Sequence, residues 1–342
     1  MLTVIGPSGG TGTVHDGGTH PERQARIDAV MAGIADLAPE LGSELEIVPP
    51  ERADAAALER VHAAGYVHRL EEFCLSGGGN LDLDTFARPD SWEAALLSAG
   101  AGLQAIDVLR ARGEGVAFVA TRPPGHHALT DRSMGFCLLN NVAVSAAALV
   151  AAGERVLIVD WDVHHGNGTQ AMFWNDPSVL YVSTHQSPFY PGTGQADEVG
   201  GTAGRGLTVN VPLPAGATGD VVRRALDVVA APAIDAFSPT WVLISAGFDA
   251  HRGDPLADLS LSGGDFAALA RTVSAYAPRP GRLVVVLEGG YDLRALRTSV
   301  AATLGALTGA SPPDGGERPT SGGPGAEMVE LAAAAREQAL DD

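Results

Sequence analysis

Val156-Leu-Ile-Val-Asp160-Trp-Asp162-Val-His164-His165 joins an unbroken apolar run directly to a burst of carboxylates and imidazoles. A short apolar run with no polar alternation is how a strand reads when both of its faces are buried. Leu283-Val-Val-Val-Leu287 has the same character and ends on Glu288-Gly289-Gly290-Tyr291. Working outward, further strands are expected at Val116–Ala120, Val179–Ser183, Leu207–Val211 and Trp241–Ser245. Helical patterns fall between them at about 92–112, 138–152, 218–237, 265–277 and 292–308. This alternation predicts an α/β fold with a parallel sheet and helices on both faces. Pro232 marks a kink or a start within 218–237.

The domain carrying function is expected to span residues 1–310. Ser311–Gly325 is rich in Pro and Gly and reads as a linker. Residues 326–342 read as a helical tail with little apolar face.

Composition narrows the classes. Hydrophobic residues make up 45% of the 342, enough for a sizeable core. The 22 basic residues are all arginine, which reads as a compositional bias. A formal net charge of −19 argues against binding nucleic acid or a membrane surface. Cys74 and Cys137 are far apart, which excludes a disulfide framework and a four-thiolate zinc site; Cys137 reads as a small buried hydrophobe. The N-terminal stretch MLTVIGPSGGTG shows no basic region followed by an apolar run. No stretch approaches 18 uninterrupted apolar residues, so no membrane span is expected. A soluble cytoplasmic protein is the expectation.

The unusual residues are not scattered. Arg122-Pro-Pro-Gly125-His126-His127 follows the first of these strands, and Asp160 to Gly168 follows the second. His185 and Phe189-Tyr190-Pro-Gly-Thr-Gly194 follow the third, and Asp249-Ala-His251-Arg-Gly-Asp254 follows the strand at 241–245. In an open α/β sheet ligands bind beyond the carboxyl ends of the strands, so these groups are expected at one edge.

Asp162-Val-His164 is the sharpest element. In extended backbone residues i and i+2 point the same way, so Asp160, Asp162 and His164 could face one point. Carboxylate oxygen with imidazole nitrogen suits Zn²⁺ or a similar divalent ion, and Asp249 is the natural third ligand. Three protein ligands leave a position open, as in a catalytic site. An isolated Asp-x-His triplet or His-His pair carries little weight; the conjunction carries the reading.

RPPGHHA, VDWDVHHGNGTQ, PFYPGTG, SAGFDAHRGDPL and LEGGYDL together resemble the motifs of the histone deacetylase superfamily, in its zinc-dependent class II-like branch. The superfamily also includes acetylpolyamine amidohydrolases and acetoin-utilisation proteins. The likeness runs from His20-Pro-Glu-Arg23 to about residue 308. It implies an arginase-like three-layer α/β/α fold with a mainly parallel eight-stranded sheet. It implies Zn²⁺, one per chain, on Asp162, His164 and Asp249. It makes His126 and His127 the tandem catalytic histidines and Tyr291 the carbonyl-polarising hydroxyl. Asp160 would support His126. Asn167 would support His127 where an aspartate is common in the family, as in the class II branch. Phe136 and Tyr190 resemble the walls of an acyl-lysine tunnel, and Leu256 is apolar where some polyamine-specific relatives carry an acidic gatekeeper. A structural K⁺ on backbone oxygens near Asp160–His164 and Ser183 is also implied.

The expected function is hydrolysis of the amide of an acylated amine, with acyl-lysine favoured over acylated polyamine. His127 would serve as base and acid, and His126 as its electrostatic partner. A binuclear manganese ureohydrolase would need an aspartate at the position of Gly166 and a second carboxylate at that of His251. A non-catalytic acyl-lysine reader would be favoured by loss of the tyrosine, which Tyr291 retains. His15, His20, His62 and His68 receive no catalytic role, and His165 is expected to pack behind the site. A homo-oligomer is among the expected assemblies.

Overall fold

The computed structural model describes residues 1–7, 15–312 and 315–341. Residues 8–12 of the N-terminal stretch, 313–314 of the Pro/Gly-rich run and Asp342 lie outside the described residues.

Eight strands form one sheet: β1 (Leu2–Ile5), β2 (Leu45–Val48), β3 (Val116–Val119), β4 (Val156–Asp160), β5 (Val179–Gln186), β6 (Thr208–Leu213), β7 (Trp241–Ala246) and β8 (Leu283–Leu287). Their order is β2-β1-β3-β8-β7-β4-β5-β6, and every neighbouring pair is parallel. The expected strands are all present. β1 and β2 were not foreseen, being four residues each, and β2 is a half-exposed edge strand.

The apolar runs are unbroken because the sheet is buried twice. Leu157 and Val159 of β4 face one core, with Ile27, Val30, Val221, Phe266, Leu296 and Val329 from the helices of that layer. Val156 and Ile158 face the other, with Tyr66, Leu70, Leu96 and Val142. Side chains alternate across a strand, so with both faces covered the run stays apolar up to the strand's carboxyl end. Among the described residues, Ser91–Arg112 alone is long and apolar enough to cross a membrane; 61% of its apolar window is buried inside this second layer.

Helix boundaries follow their caps. Asn140 accepts from Ala143 N–H (3.0 Å), so that helix begins at Asn141. Ser262 and Asp265 cap each other's backbone at the start of Gly263–Ser274. The single helix expected at 218–237 contains a π-helical stretch, Leu226–Ala230, between Gly219–Ala225 and Ala231–Phe237. Pro232 has no N–H and its ring crowds the carbonyl four residues back; widening the preceding turn accommodates it.

The Pro/Gly-rich run is tied to the body. Glu317 accepts from Gly263 N–H (2.8 Å) and meets His251 Nε2 (2.9 Å), while Thr320 donates to Asp265 (2.8 Å). Ala326–Asp341 is helical and buries Val329, Ala332 and Arg336. The Arg336 guanidinium donates to the carbonyls of Gly206 and Thr208 at the outer strand β6.

Two histidines outside the strand ends are structural. His62 Nε2 accepts from Asn140 N–H (2.9 Å) and its Nδ1 donates to Leu129 O (3.0 Å), which requires a neutral ring. Burial lowers its pKa to about 4. His15, stacked on Phe86 at 4.6 Å, is also lowered to about 4, first by burial and then by the Arg122 charge, against Glu22. Their folded pKa lies below the unfolded value, so the unfolded chain binds more protons between about pH 6.5 and 4. Stability is therefore complete above the unfolded pKa and is lost as pH falls through this window. The melting temperature should drop from pH 7 to pH 5, and His62→Gln, which keeps a donor and an acceptor, should flatten the drop. A melting temperature independent of pH over this range would contradict the assignment.

Candidate active site

The loops after β3, β8, β7, β4 and β5 carry the unusual residues, and these are five adjacent strands. Sheet order thus gathers at one edge what the sequence separates.

Asp162, His164 and Asp249 bring one ligand atom each to within 4.8 Å of one another. His164 Nδ1 lies 3.1 Å from Asp162 Oδ1 and 3.4 Å from Asp249 Oδ2. Both carboxylates are fully buried. Asp162 Oδ2 accepts from Gly289 N–H (2.9 Å), and Asp249 Oδ1 accepts from Val163 N–H (3.0 Å). Asp249 Oδ2 is buried without a hydrogen-bond partner. An orphaned carboxylate oxygen is costly in the interior and marks a place where a cation belongs. Burial works against charge on His164, yet the two carboxylates push its pKa up to about 10. The spot therefore attracts positive charge, and the oxygen and nitrogen donors fit a divalent metal.

His126 and His127 lie beside this cluster with ring centroids 4.0 Å apart. His126 Nδ1 pairs with Asp160 Oδ2 (3.0 Å), which also accepts from Tyr181 OH (3.1 Å). His127 Nδ1 pairs with Asn167 Oδ1 (2.8 Å). Burial disfavours both cations. For His126 the charges of Asp162 and Asp160 overcome it, and the pKa rises well above the usual range. For His127 the positive His126 and His164 add to burial, and the pKa falls well below it. The pKa values of these adjacent rings are thus pushed in opposite directions. Burial, with Asp249 and Asp162, also raises the Tyr291 phenol well above its ordinary value, against Arg26, so it stays a donor.

Aromatic side chains line the approach. Phe136 sits edge-on to Tyr291 (5.6 Å), Tyr190 edge-on to His127 (5.2 Å), and Phe189 stacks on His164 (5.3 Å). Phe136 adopts φ of 67°, a rare conformation for a bulky residue, and its N–H is tied to Thr85 Oγ1 (3.1 Å). His20 meets the Phe136 ring edge-on at 4.6 Å. Leu256 is placed only through its backbone N–H, which Asp254 accepts (3.0 Å). His165 lies behind the site on Thr193 (2.7 Å) and Gln170 (2.9 Å). His68 is exposed beside Glu72.

Several residues went unread in the sequence. Glu288 is fully buried and accepts from Gly125 N–H (2.7 Å), His126 N–H (3.1 Å) and Ser245 OH (3.0 Å). Arg26 donates to Gly290 O (2.7 Å) and Glu288 O, and its guanidinium lies 4.8 Å from the Tyr291 ring centre. Glu22 holds Arg26 and Arg122 together. The sequence signal for Glu288 was its place at a strand end directly before two glycines; Arg26, in a helix not foreseen, gave none.

The family model for the histone deacetylase domain matches residues 20–307. The chain belongs to the histone deacetylase family. It is 40% identical to a chloroplastic histone deacetylase 10 of Oryza sativa, over 86% of this chain and 71% of that one. A probable deacetylase of Archaeoglobus fulgidus is 40% identical over 80% and 77% of the two chains. A histone deacetylase-like amidohydrolase of Pseudomonas aeruginosa is 41% identical over 80% and 72%. The crystal structure of the HDA15 HD domain superposes with a TM-score of 0.86 at 34% identity, covering 99% of this chain and 97% of that one. The deacetylase fold and a hydrolase acting on amides follow. The family is generally zinc-dependent, in keeping with the donor set described above.

Gly289 leaves no room for a side chain beside the two carboxylates. A Cβ there would lie 2.0 Å from Asp249 Oδ2 and 2.6 Å from Asp162 Oδ2. Gly289→Ala should weaken zinc binding by at least about tenfold, measured by calorimetric titration of the metal-free protein. Unchanged affinity would mean that these oxygens are not the ligands.

Proposed function

We propose that this protein is a zinc-dependent deacetylase of acyl-lysine side chains. The observation that supports it most is the buried Asp249 oxygen without a hydrogen-bond partner in the Asp162–His164–Asp249 cluster. When held by these three residues, zinc supplies a Lewis acid for the amide carbonyl and acidifies water to a pKa of about 7.

The remaining chemistry belongs to the chain. Asn167 Oδ1 accepts from His127 Nδ1–H, which leaves the Nε2 lone pair for the attacking water. His127 takes that proton and returns it to the departing amine. His126, kept cationic by Asp160, stabilises the negative charge that develops. Tyr291 donates a hydrogen bond to the carbonyl oxygen. Phe136 beside Tyr291 and Tyr190 beside His127 set aromatic rings next to the reacting groups, which suits the methylene stem of an acyl-lysine.

One zinc per chain is favoured over a binuclear site, because a side chain at Gly166 would strike Asp160 Oδ2 at 2.2 Å. Strand pairing sets Asp160 beside Ser183, which suits a structural K⁺ on their backbone oxygens. The apolar Leu256 favours acyl-lysine over a polyamine, which would need an acidic group to meet its charge.

Acetyl-lysine peptides, acetylputrescine and acetylspermidine, assayed with and without chelator, test the proposal. Chelation should abolish hydrolysis, and zinc should restore it. Faster turnover of an acetylpolyamine than of every peptide would move the substrate assignment. Tyr291→Phe should retain zinc and lose about 10²-fold in kcat; wild-type-like turnover would defeat the hydroxyl's role. Asn167→Asp should raise the His127 pKa, because a carboxylate stabilises imidazolium more than an amide does. Since the base must be neutral, the acid limb of the pH profile of kcat/KM should move to higher pH. An unmoved limb would exclude His127 as the titrating base.

A further inference from the structure

Gly253-Asp254-Pro255 follows β7 and has no part in the chemistry described so far. Asp254 is nevertheless buried, at 7% exposure. Its Oδ2 accepts from Tyr291 N–H (2.6 Å) and Asp292 N–H (3.2 Å), and its Oδ1 accepts from Leu256 N–H (3.0 Å). One carboxylate therefore ties the backbone of the candidate tunnel residue Leu256 to that of Tyr291.

The tyrosine needs such a tie. It follows Gly289-Gly290, with Gly290 at φ of 118°, a segment with little conformational preference of its own. Arg26 holds this segment from its carbonyl side, through Gly290 O and Glu288 O. From the N–H side Asp254 holds it, one carboxyl oxygen accepting from both Tyr291 N–H and Asp292 N–H. Directly afterwards the chain enters the helix Leu293–Thr308, capped by Asp292 on Ala295 N–H (2.7 Å). Tyr291 thus stands between a flexible glycine pair and a fixed helix end.

We propose that Asp254 is a positioning residue for Tyr291, setting through the backbone how far its hydroxyl reaches towards the substrate carbonyl. The assignment rests on the role given above to the Tyr291 hydroxyl. Misplacing a reacting group by about 1 Å can cost on the order of 10² in rate, so loss of the tie should appear in kcat. A role only in starting the helix at Leu293 would cost stability and leave no specific link to the hydroxyl.

A double-mutant cycle on the zinc-loaded full chain, with an acetyl-lysine peptide as substrate, separates the two. Asp254→Ala should lower kcat at least about tenfold, with KM within about threefold and zinc content unchanged. Asp254→Asn, whose amide oxygen can still accept from Tyr291 and Asp292 N–H although its NH2 then faces Leu256 N–H, should keep clearly more kcat than the Ala variant. In a Tyr291→Phe background Asp254→Ala should cost less than about twofold more, since the hydroxyl it positions is gone. If Asp254→Ala does not fold, Asp254→Ser, too short to reach the Tyr291 N–H, replaces it. An equal loss in both backgrounds, a parallel loss of zinc, or an Asn variant as impaired as the Ala variant would overturn the proposal. No hydrolysis by the wild-type chain would remove the functional reading and this assignment together; an active wild type with additive losses removes only the latter.

Discussion

Two buried carboxylates, Asp162 and Asp249, share one imidazole nitrogen in a place closed to bulk water. Like charges so close in the interior repel, and each has also lost its hydration. The surroundings read as the response to that constraint. Gly289 N–H and Val163 N–H occupy one oxygen of each carboxylate, and a glycine lines the pair because a methyl group would not fit. The same field pushes the His126 pKa up, while burial and then the His126 charge push that of His127 down. One electrostatic demand thereby sets a metal preference and divides the roles of two adjacent histidines.

The fold supplies the means. Strands β3, β8, β7, β4 and β5 are neighbours although residues 116 to 287 separate their extremes along the chain, so five loop systems open along one edge. A sheet buried on both faces is stiff, and stiffness is what lets groups from five loops keep mutual distances near 3 Å.

Much of this was legible in the sequence. The strands with continuous apolar runs were found because burial on two faces leaves that pattern, and the candidate metal cluster was marked by carboxylates and a histidine at two strand ends together with the family resemblance. Asn167, Phe136 and Tyr190 came with the family resemblance. Glu288, Asp254 and Arg26 were not found, for a common reason. Each acts on backbone atoms of a distant segment, Glu288 on His126 N–H at a separation of 162 residues and Arg26 on Gly290 O at 264. A backbone N–H or carbonyl has no residue type, so such contacts leave no motif. Strands β1 and β2 escaped because four residues are too few to show a period, and the helix at 25–41 escaped with them.

The last helix bears on how the molecule behaves in company. Strand β6 closes the sheet on one side, and an open strand edge offers its backbone to any other chain that can add a strand. Arg336 spends its guanidinium on two carbonyls at that edge, while Val329 and Ala332 seat the helix over it. The C-terminal helix thus works as a selvedge that keeps the sheet from being extended by a neighbour, at the opposite flank from the half-exposed β2. Its worth to the protein would be counted in resistance to aggregation at high concentration, a property that no measurement of turnover would register.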